Sequence, residues 1–269
     1  MSDQDEAPQA PAKPKRARKP RAPKAPKPGR RQYGEAEDGS PIVSVTEVLQ
    51  HLGWKTPGLM RWSANLAAQA CADALAGGAS YADAVEIAKR APFARRDEAA
   101  EAGTMGHAMS EALVTGRDPE DAIDVLAPLE VQDAARRAHA KFAAWWVGCG
   151  YSLVMSEEQI VDRAAGWGGT LDLLLRDADG NLVIADIKTG KDVHLDVAAQ
   201  LAGYALLLRT QRGLEVARGM VIHVPADEGE VQIVGVPAEV LAAGERVFLA
   251  CLEIHRAKAG IKLAKGAAA

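Results

Sequence analysis

Apolar residues along this chain recur with two different periods, and each period implies a different backbone. From Val45 to Val147 they return at three-to-four spacing, the signature of helices with one buried face. A short helix capped by Thr46 is expected to reach Leu52, and Pro57 opens a second through Trp62, Leu66 and Ala70. Further helices are expected at Tyr81 to Arg90, Asp97 to Thr115 and Glu130 to Val147. The pattern then changes. Ser152 to Asp162, Gly168 to Arg176 and Leu182 to Ile187 are apolar, β-prone runs, and helical spacing returns from Val193 to Arg209 with Val197, Leu201, Ala205 and Leu208 as its inner stripe. Strands near Arg218 to Val224 and Glu230 to Val236, then a helix from Pro237 to about Ala257, complete the body. Helices followed by β-β-β-α-β-β-α predict an α/β fold, a mixed sheet flanked by helices with a helical N-terminal part.

The turn between the second and third strands brings in chemistry. Asp177-Ala178-Asp179-Gly180-Asn181 is a turn-forming cluster, so its flanking runs should fold as a hairpin that draws Asp172 towards Asp186. Asp186 and Lys188 lie two apart on one strand and therefore project to the same face. Two neighbouring carboxylates cannot both ionise comfortably without a cation, and oxygen ligation suits Mg²⁺ or Mn²⁺. That combination is suited to hydrolysis of phosphodiesters. Gln200 and Tyr204 sit one above the other on the following helix, and Gly103 and Gly106 stand just before His107 in a helical pattern, where glycine implies close approach of another segment.

Composition changes this picture at the chain's start. Net charge is −4 overall, but residues 1 to 31 carry ten Lys or Arg against Asp3, Asp5 and Glu6, leaving 22 basic and 33 acidic residues for the rest. Residues 1–38 also hold seven of the fourteen prolines, and such a tract cannot bury enough apolar surface to offset its entropy. The expected organisation is a disordered basic tail over 1–38, a domain over 39–259 (mainly helical to 150, catalytic sheet and helices from 151) and a short tail over 260–269. The basic tail offers weak, salt-sensitive attraction to nucleic acid or a solubilising segment. Cys71, Cys149 and Cys251 are scattered and read as free thiols of a reducing, cytoplasmic compartment, and no apolar run suggests a transmembrane or signal segment.

Gly-x-x-x-His at Gly103 to His107, Gly-Thr-x-Asp at Gly169 to Asp172, Asp-x-Lys at Asp186 to Lys188 and Gln-x-x-x-Tyr at Gln200 to Tyr204 come in one order. Together they resemble the PD-(D/E)XK nuclease superfamily, in particular its RecB-like branch, which includes many phage-encoded exonucleases. Weaker likeness extends to Ser44 to Leu49 and Leu59 to Trp62. The resemblance implies a restriction-endonuclease-like core and a Mg²⁺-dependent DNA exonuclease, with Mn²⁺ able to substitute, acting at DNA ends or single strands in recombination, repair or phage replication. Its setting would be a bacterial cell or phage-infected host.

On that resemblance Asp172 and Asp186 bind metal, with the carbonyl of Ile187 as a further oxygen and His107 as a nitrogen ligand. Lys188 activates water or stabilises the phosphate, Gln200 orients Lys188 or a phosphate, and Tyr204 packs beside the site or touches a nucleotide. Glu158 is the acid expected on the strand before Asp172, to bind a second metal or only orient the site. Glu111, one turn after His107, is read first as an exposed helical glutamate and second as a hydrogen-bond partner of the free ring nitrogen. Arg95 and Arg96, read as preceding the His107 helix, are candidates for phosphate contact. Three scattered cysteines do not supply the four-cysteine pattern of an iron–sulfur cluster, so none is expected. DNA is the expected partner, and a recombinase, single-strand-binding or helicase protein is a further one. The competing reading is a nucleic-acid-binding or recombination-complex protein of this fold without activity, which the presence of Asp172, Asp186 and Lys188 together argues against.

Overall fold

The computed structural model describes residues 33–190, 192–225 and 229–261. In chain order its elements are β1 (Val43–Ser44), α1 (Val45–Val48), α2 (Thr56–Ala76), α3 (Tyr81–Val114), α4 (Leu129–Gly148), β2 (Ser152–Asp162), β3 (Trp167–Arg176), β4 (Leu182–Lys188), α5 (Asp196–Arg212), β5 (Arg218–His223), β6 (Gln232–Val236) and α6 (Ala238–Gly260). The six strands form one mixed sheet, antiparallel at β2–β3, β3–β4 and β5–β6 and parallel at β1–β3 and β4–β5.

Two apolar layers cover this sheet. On one face Leu171, Leu174, Ile184 and Val221 pack with Val45, Leu201, Leu208 and Phe248 from α1, α5 and α6. On the other, Leu173, Leu175, Val183 and Ile222 meet Phe142 and Ala138 of α4, with Leu113 and Val114 of α3 alongside. Burial on both faces explains why β3 and β4 read as continuous apolar runs rather than alternating ones.

The middle of the sheet is split. β2 runs along one whole edge of β3, so β1 and β4 must share the other. β4 pairs only with Leu173 to Arg176, while β1 pairs with Trp167 and Gly168. Past Ala185, β4 leaves β3 and continues beside β5 through Asp186, Ile187 and Lys188. The backbone is therefore free of ladder pairing on the β3 side of Asp186, next to Asp172. The turn that sets this hairpin is the expected one: Asp177 N–H donates to the Asn181 carbonyl and Gly180 takes a positive φ.

Three boundaries differ from the sequence expectation. The two helices expected at Tyr81 to Arg90 and Asp97 to Thr115 are one 34-residue helix, α3, with Pro92 inside it. A proline removes one backbone donor and need only bend a helix whose other contacts hold it. Ser44, not Thr46, caps α1, its Oγ accepting from Glu47 N–H at 3.1 Å. The chain also joins the body before residue 38: Ile42 N–H donates to Gly34, Glu37 N–H to Arg163, and Tyr33 Oη lies 3.2 Å from Thr170 Oγ1. The rest of the expected basic tail, residues 1–32, and most of the C-terminal tail, 262–269, lie outside the described residues.

Candidate active site

The split in the sheet gathers the candidate residues. In the β3–β4 register Leu173 faces Ala185, so Asp172 and Asp186 occupy the next positions, where the strands part. Asp172 Oδ2 fills the opening by accepting the N–H of Ile187 at 3.0 Å. The same oxygen lies 2.9 Å from Nε2 of His107, which α3 brings from one side of the sheet. From the other side α5 delivers Gln200, whose Nε2 donates to Asp186 Oδ1 at 2.8 Å and whose Oε1 lies 3.4 Å from Lys188 Nζ. Lys188 Nζ donates to Asp186 Oδ1 at 3.0 Å.

Two glycines permit these approaches. A Cβ on Gly103 would stand 2.9 Å from Thr189 Oγ1, so α3 comes close to the segment after Lys188 and a side chain at 103 would require Thr189 to turn. A Cβ on Gly169 would collide with the Tyr204 ring. Tyr204 is buried against β3, and Gln200, one turn earlier on the same face, is thereby held at the level of Asp186. Tyr204 is thus a packing residue of the site, and burial first, then the charges of Asp172 and Asp186, push its hydroxyl well above its ordinary pKa.

The acid on β2 is Glu157, not the expected Glu158. Glu157 Oε1 lies 3.2 Å from His107 Nδ1, and His107, Glu157 and Asp172 present ligand atoms within 4.8 Å of one another. Glu158 pairs with Arg212 at 2.8 Å instead. The reason is register. Ser156 faces Leu173 and Glu158 faces Leu171, so Glu157 is the residue opposite Asp172. An irregularity between Leu153 and Met155 sets that phase, and Glu157 itself adopts φ 51°, a left-handed conformation that costs a non-glycine residue about 1 kcal/mol or more. Glu111 is turned away too, its carboxylate bonded to Arg117.

Arg95 and Arg96 lie within α3 rather than before it, exposed, with Glu98 and Asp97 as their ion-pair partners. Sequence spacing also gave no sign of His223. It stands beside Lys188 across the β4–β5 pair and its Nε2 lies 2.7 Å from the Gly190 carbonyl, anchoring the segment that follows Lys188.

Electrostatically the group is short of one cation. Asp186 is 1% exposed, and Lys188 Nζ lies 2.7 Å from its Oδ2. That approach is poorly directed, and Oδ2 has no hydrogen bond from any donor, the ammonium serving Oδ1 instead. Burial, then the charge of Asp172, pushes the Asp186 carboxyl up to about 7 against the pull of Lys188. Burial opposes charge on His107 as well, but Asp172 and Glu157 outweigh it and raise the imidazole to about 10. A buried imidazolium between two carboxylates is the arrangement expected where a proton stands in for a metal ion, and Asp186 lies outside the three groups that meet there. One imidazole nitrogen with carboxylate oxygens is a donor set for a divalent cation.

The family model of the PD-(D/E)XK nuclease superfamily matches residues 79–260, a span that contains every group just described. The chain belongs to this superfamily. Among solved structures, a "putative exonuclease" from Eubacterium rectale aligns at 10% identity and TM-score 0.41, over 62% of this chain and 77% of that one. The protein SSO0001 aligns at 12% identity and TM-score 0.28, over 56% and 73%. No curated protein sequence matches the chain. As a member of a nuclease superfamily with a mixed six-stranded sheet and helices on both faces, it has the restriction-endonuclease-like architecture of a phosphodiester hydrolase. Among the described residues no helix is long and apolar enough to cross a membrane.

Proposed function

We propose that this superfamily member is a Mg²⁺-dependent DNA exonuclease, acting at DNA ends or on single strands. The observation that carries the reading is the meeting of His107, Asp172 and Glu157 within 4.8 Å at the point where the sheet opens, with the buried Asp186–Lys188 pair on the adjoining strand. Asp172, Asp186 and His107 would hold the cation, with the Ile187 carbonyl as a further donor. When bound, the ion neutralises charge on the scissile phosphate and lowers the pKa of water.

The chain's own groups account for the rest. Lys188, held by Asp186 and Gln200, places a positive charge where the phosphate gains negative charge in the transition state. Its ammonium stays protonated, because the carboxylates raise its pKa despite burial, so it is better suited to clamp charge than to accept a proton. Gln200 fixes the Lys188 amine and one Asp186 oxygen together. Glu157 orients His107 through the ring nitrogen that does not meet Asp172. In-line attack of water would then release the 3′ oxygen and leave a 5′ phosphate.

A role in recombination, repair or phage replication, alongside a recombinase, single-strand-binding or helicase protein, belongs to the same reading and rests on the basic segment before residue 32. Digestion of end-labelled linear and covalently closed circular DNA, with Mg²⁺ and with EDTA, tests the central assignment. Mg²⁺-dependent loss of linear DNA alone is the expected result. Cleavage in EDTA, or by an Asp186→Ala variant, would remove it.

A further inference from the structure

α2 has no buried residue along its 21 positions, although Ser63, Leu66, Ala67, Ala70 and Ala74 are partly covered on the face turned to α3. Its first turns and the turn before it expose large apolar groups: Trp54 at 52%, Met60 at 68% and Trp62 at 41%, with Leu59 between. Exposed tryptophan leaves a large apolar area in water, so one before α2 and one in its first turns mark a surface suited to being covered.

Its location says by what. Lys55 pairs with Asp196, the first residue of α5, at 2.7 Å. Gln200, one turn further along α5, is the residue that touches Lys188 and Asp186. The start of α2 is therefore tied to α5 one helical turn before the residue that touches Lys188. α2 and α3 follow one another through residues 77–80 and pack together, and α3 is the helix that carries Gly103 and His107.

Charge selects the occupant. Apart from the 1–31 tract the chain has 33 acidic residues against 22 basic, yet residues 48–72 contain no acid at all, only Lys55 and Arg61 as full charges. Arg61 is exposed and, among the described residues, has no acidic partner. Flat aromatic faces beside an unpaired guanidinium suit the bases and phosphates of a single nucleic-acid strand.

We propose that Trp54 and Trp62 form a stacking platform at the entrance to the active site, holding the bases of a single DNA strand while Arg61 meets its phosphates. This rests on the nuclease reading above and assigns its substrate as single-stranded DNA or a frayed end. Stacking uses the ring faces and is tolerant of sequence.

The test uses the full chain with Trp54 and Trp62 both changed to Phe, or both to Leu, and separately Arg61→Ala. Binding of fluorescein-labelled dodecathymidylate is read by anisotropy in EDTA, and hydrolysis of thymidine 5′-(p-nitrophenyl phosphate) is read in Mg²⁺. The Leu pair should weaken DNA binding by about tenfold or more, the Phe pair by much less, with the small ester hydrolysed at the wild-type rate in both. Arg61→Ala should weaken binding and flatten its salt dependence. Equal binding by the Leu pair and wild type overturns the platform. So does a wild-type dimer in sedimentation velocity that the Leu pair converts to monomer, because a second copy would then be the occupant. Failure of the nuclease reading shows separately, as absence of ester hydrolysis by the wild type, and the anisotropy comparison still decides the platform.

Discussion

Asp172 holds His107 and the backbone of Ile187 with a single carboxylate oxygen, at 2.9 and 3.0 Å, across separations of 65 and 15 residues. One side chain thus joins α3, β3 and β4 at the place where β4 leaves the sheet. Neutralising it should separate structure from chemistry. Asp172→Asn keeps an oxygen for the Ile187 N–H, so the fold should survive with a cost of about 1–3 kcal/mol from the altered buried bonds. DNA hydrolysis should fall by at least about a hundredfold, since a charge aimed at the reacting centre is lost. Denaturant melts and a Mg²⁺-dependent cleavage assay measure the two effects. Near-wild-type cleavage would contradict the assignment.

The protonated state of the metal-free site has a pH signature. His107, raised to about 10, contributes stability that is fully present below its ordinary value near 6.5 and is lost as pH rises through 10. Asp186, raised to about 7, keeps its proton longer in the folded chain than in the unfolded one, so folding weakens as pH climbs from about 4 to 7. Both signs favour the metal-free protein at low pH, and a cation must displace those protons. The rise in melting temperature produced by Mn²⁺ should therefore grow between pH 6 and pH 9, and calorimetry in buffers of different ionisation enthalpy should show proton release. A pH-independent gain would contradict this.

Glu157 and Glu158 should behave differently despite being adjacent. Glu157→Gln removes the charge that orients His107 and should weaken metal binding by roughly ten- to a hundredfold. Glu158→Gln breaks only an exposed pair with Arg212 and should change stability by less than about 1 kcal/mol and leave metal binding alone. Mn²⁺ titration of both variants reads the contrast, and equal effects would contradict the register.

Gly169→Ala should destabilise the fold by about 1–3 kcal/mol, because the new methyl group overpacks against the Tyr204 ring. Chemical denaturation measures it. A smaller residue at 204, such as Tyr204→Val, should restore part of the loss in the double variant, and an additive double variant would show that the two positions do not touch.

Much of this was legible because it follows from periodicity and turn chemistry. The Asp177–Asn181 turn fixes the β3–β4 hairpin, the hairpin places Asp172 across from Asp186, and period two sends Asp186 and Lys188 to one face. Helical spacing likewise put Gln200 one turn from Tyr204. What was not legible depends on where neighbours happen to press. Choosing Glu157 over Glu158 needs the irregularity at Leu153 to Met155, which no composition announces. Continuation of α3 through Pro92 depends on tertiary packing that outweighs one lost donor, and His223 is visible only once β5 lies beside Lys188. The cue available in hindsight is that two acids stand side by side on β2, so one of them had to share the face of Asp172.

The most direct measurement is an anomalous difference map from a crystal soaked in manganese. The account predicts a peak about 2.0–2.3 Å from Nε2 of His107 and from a carboxylate oxygen of both Asp172 and Asp186, with the His107–Asp172 hydrogen bond replaced by ligation. No peak there, or a peak elsewhere with that hydrogen bond intact, would contradict it.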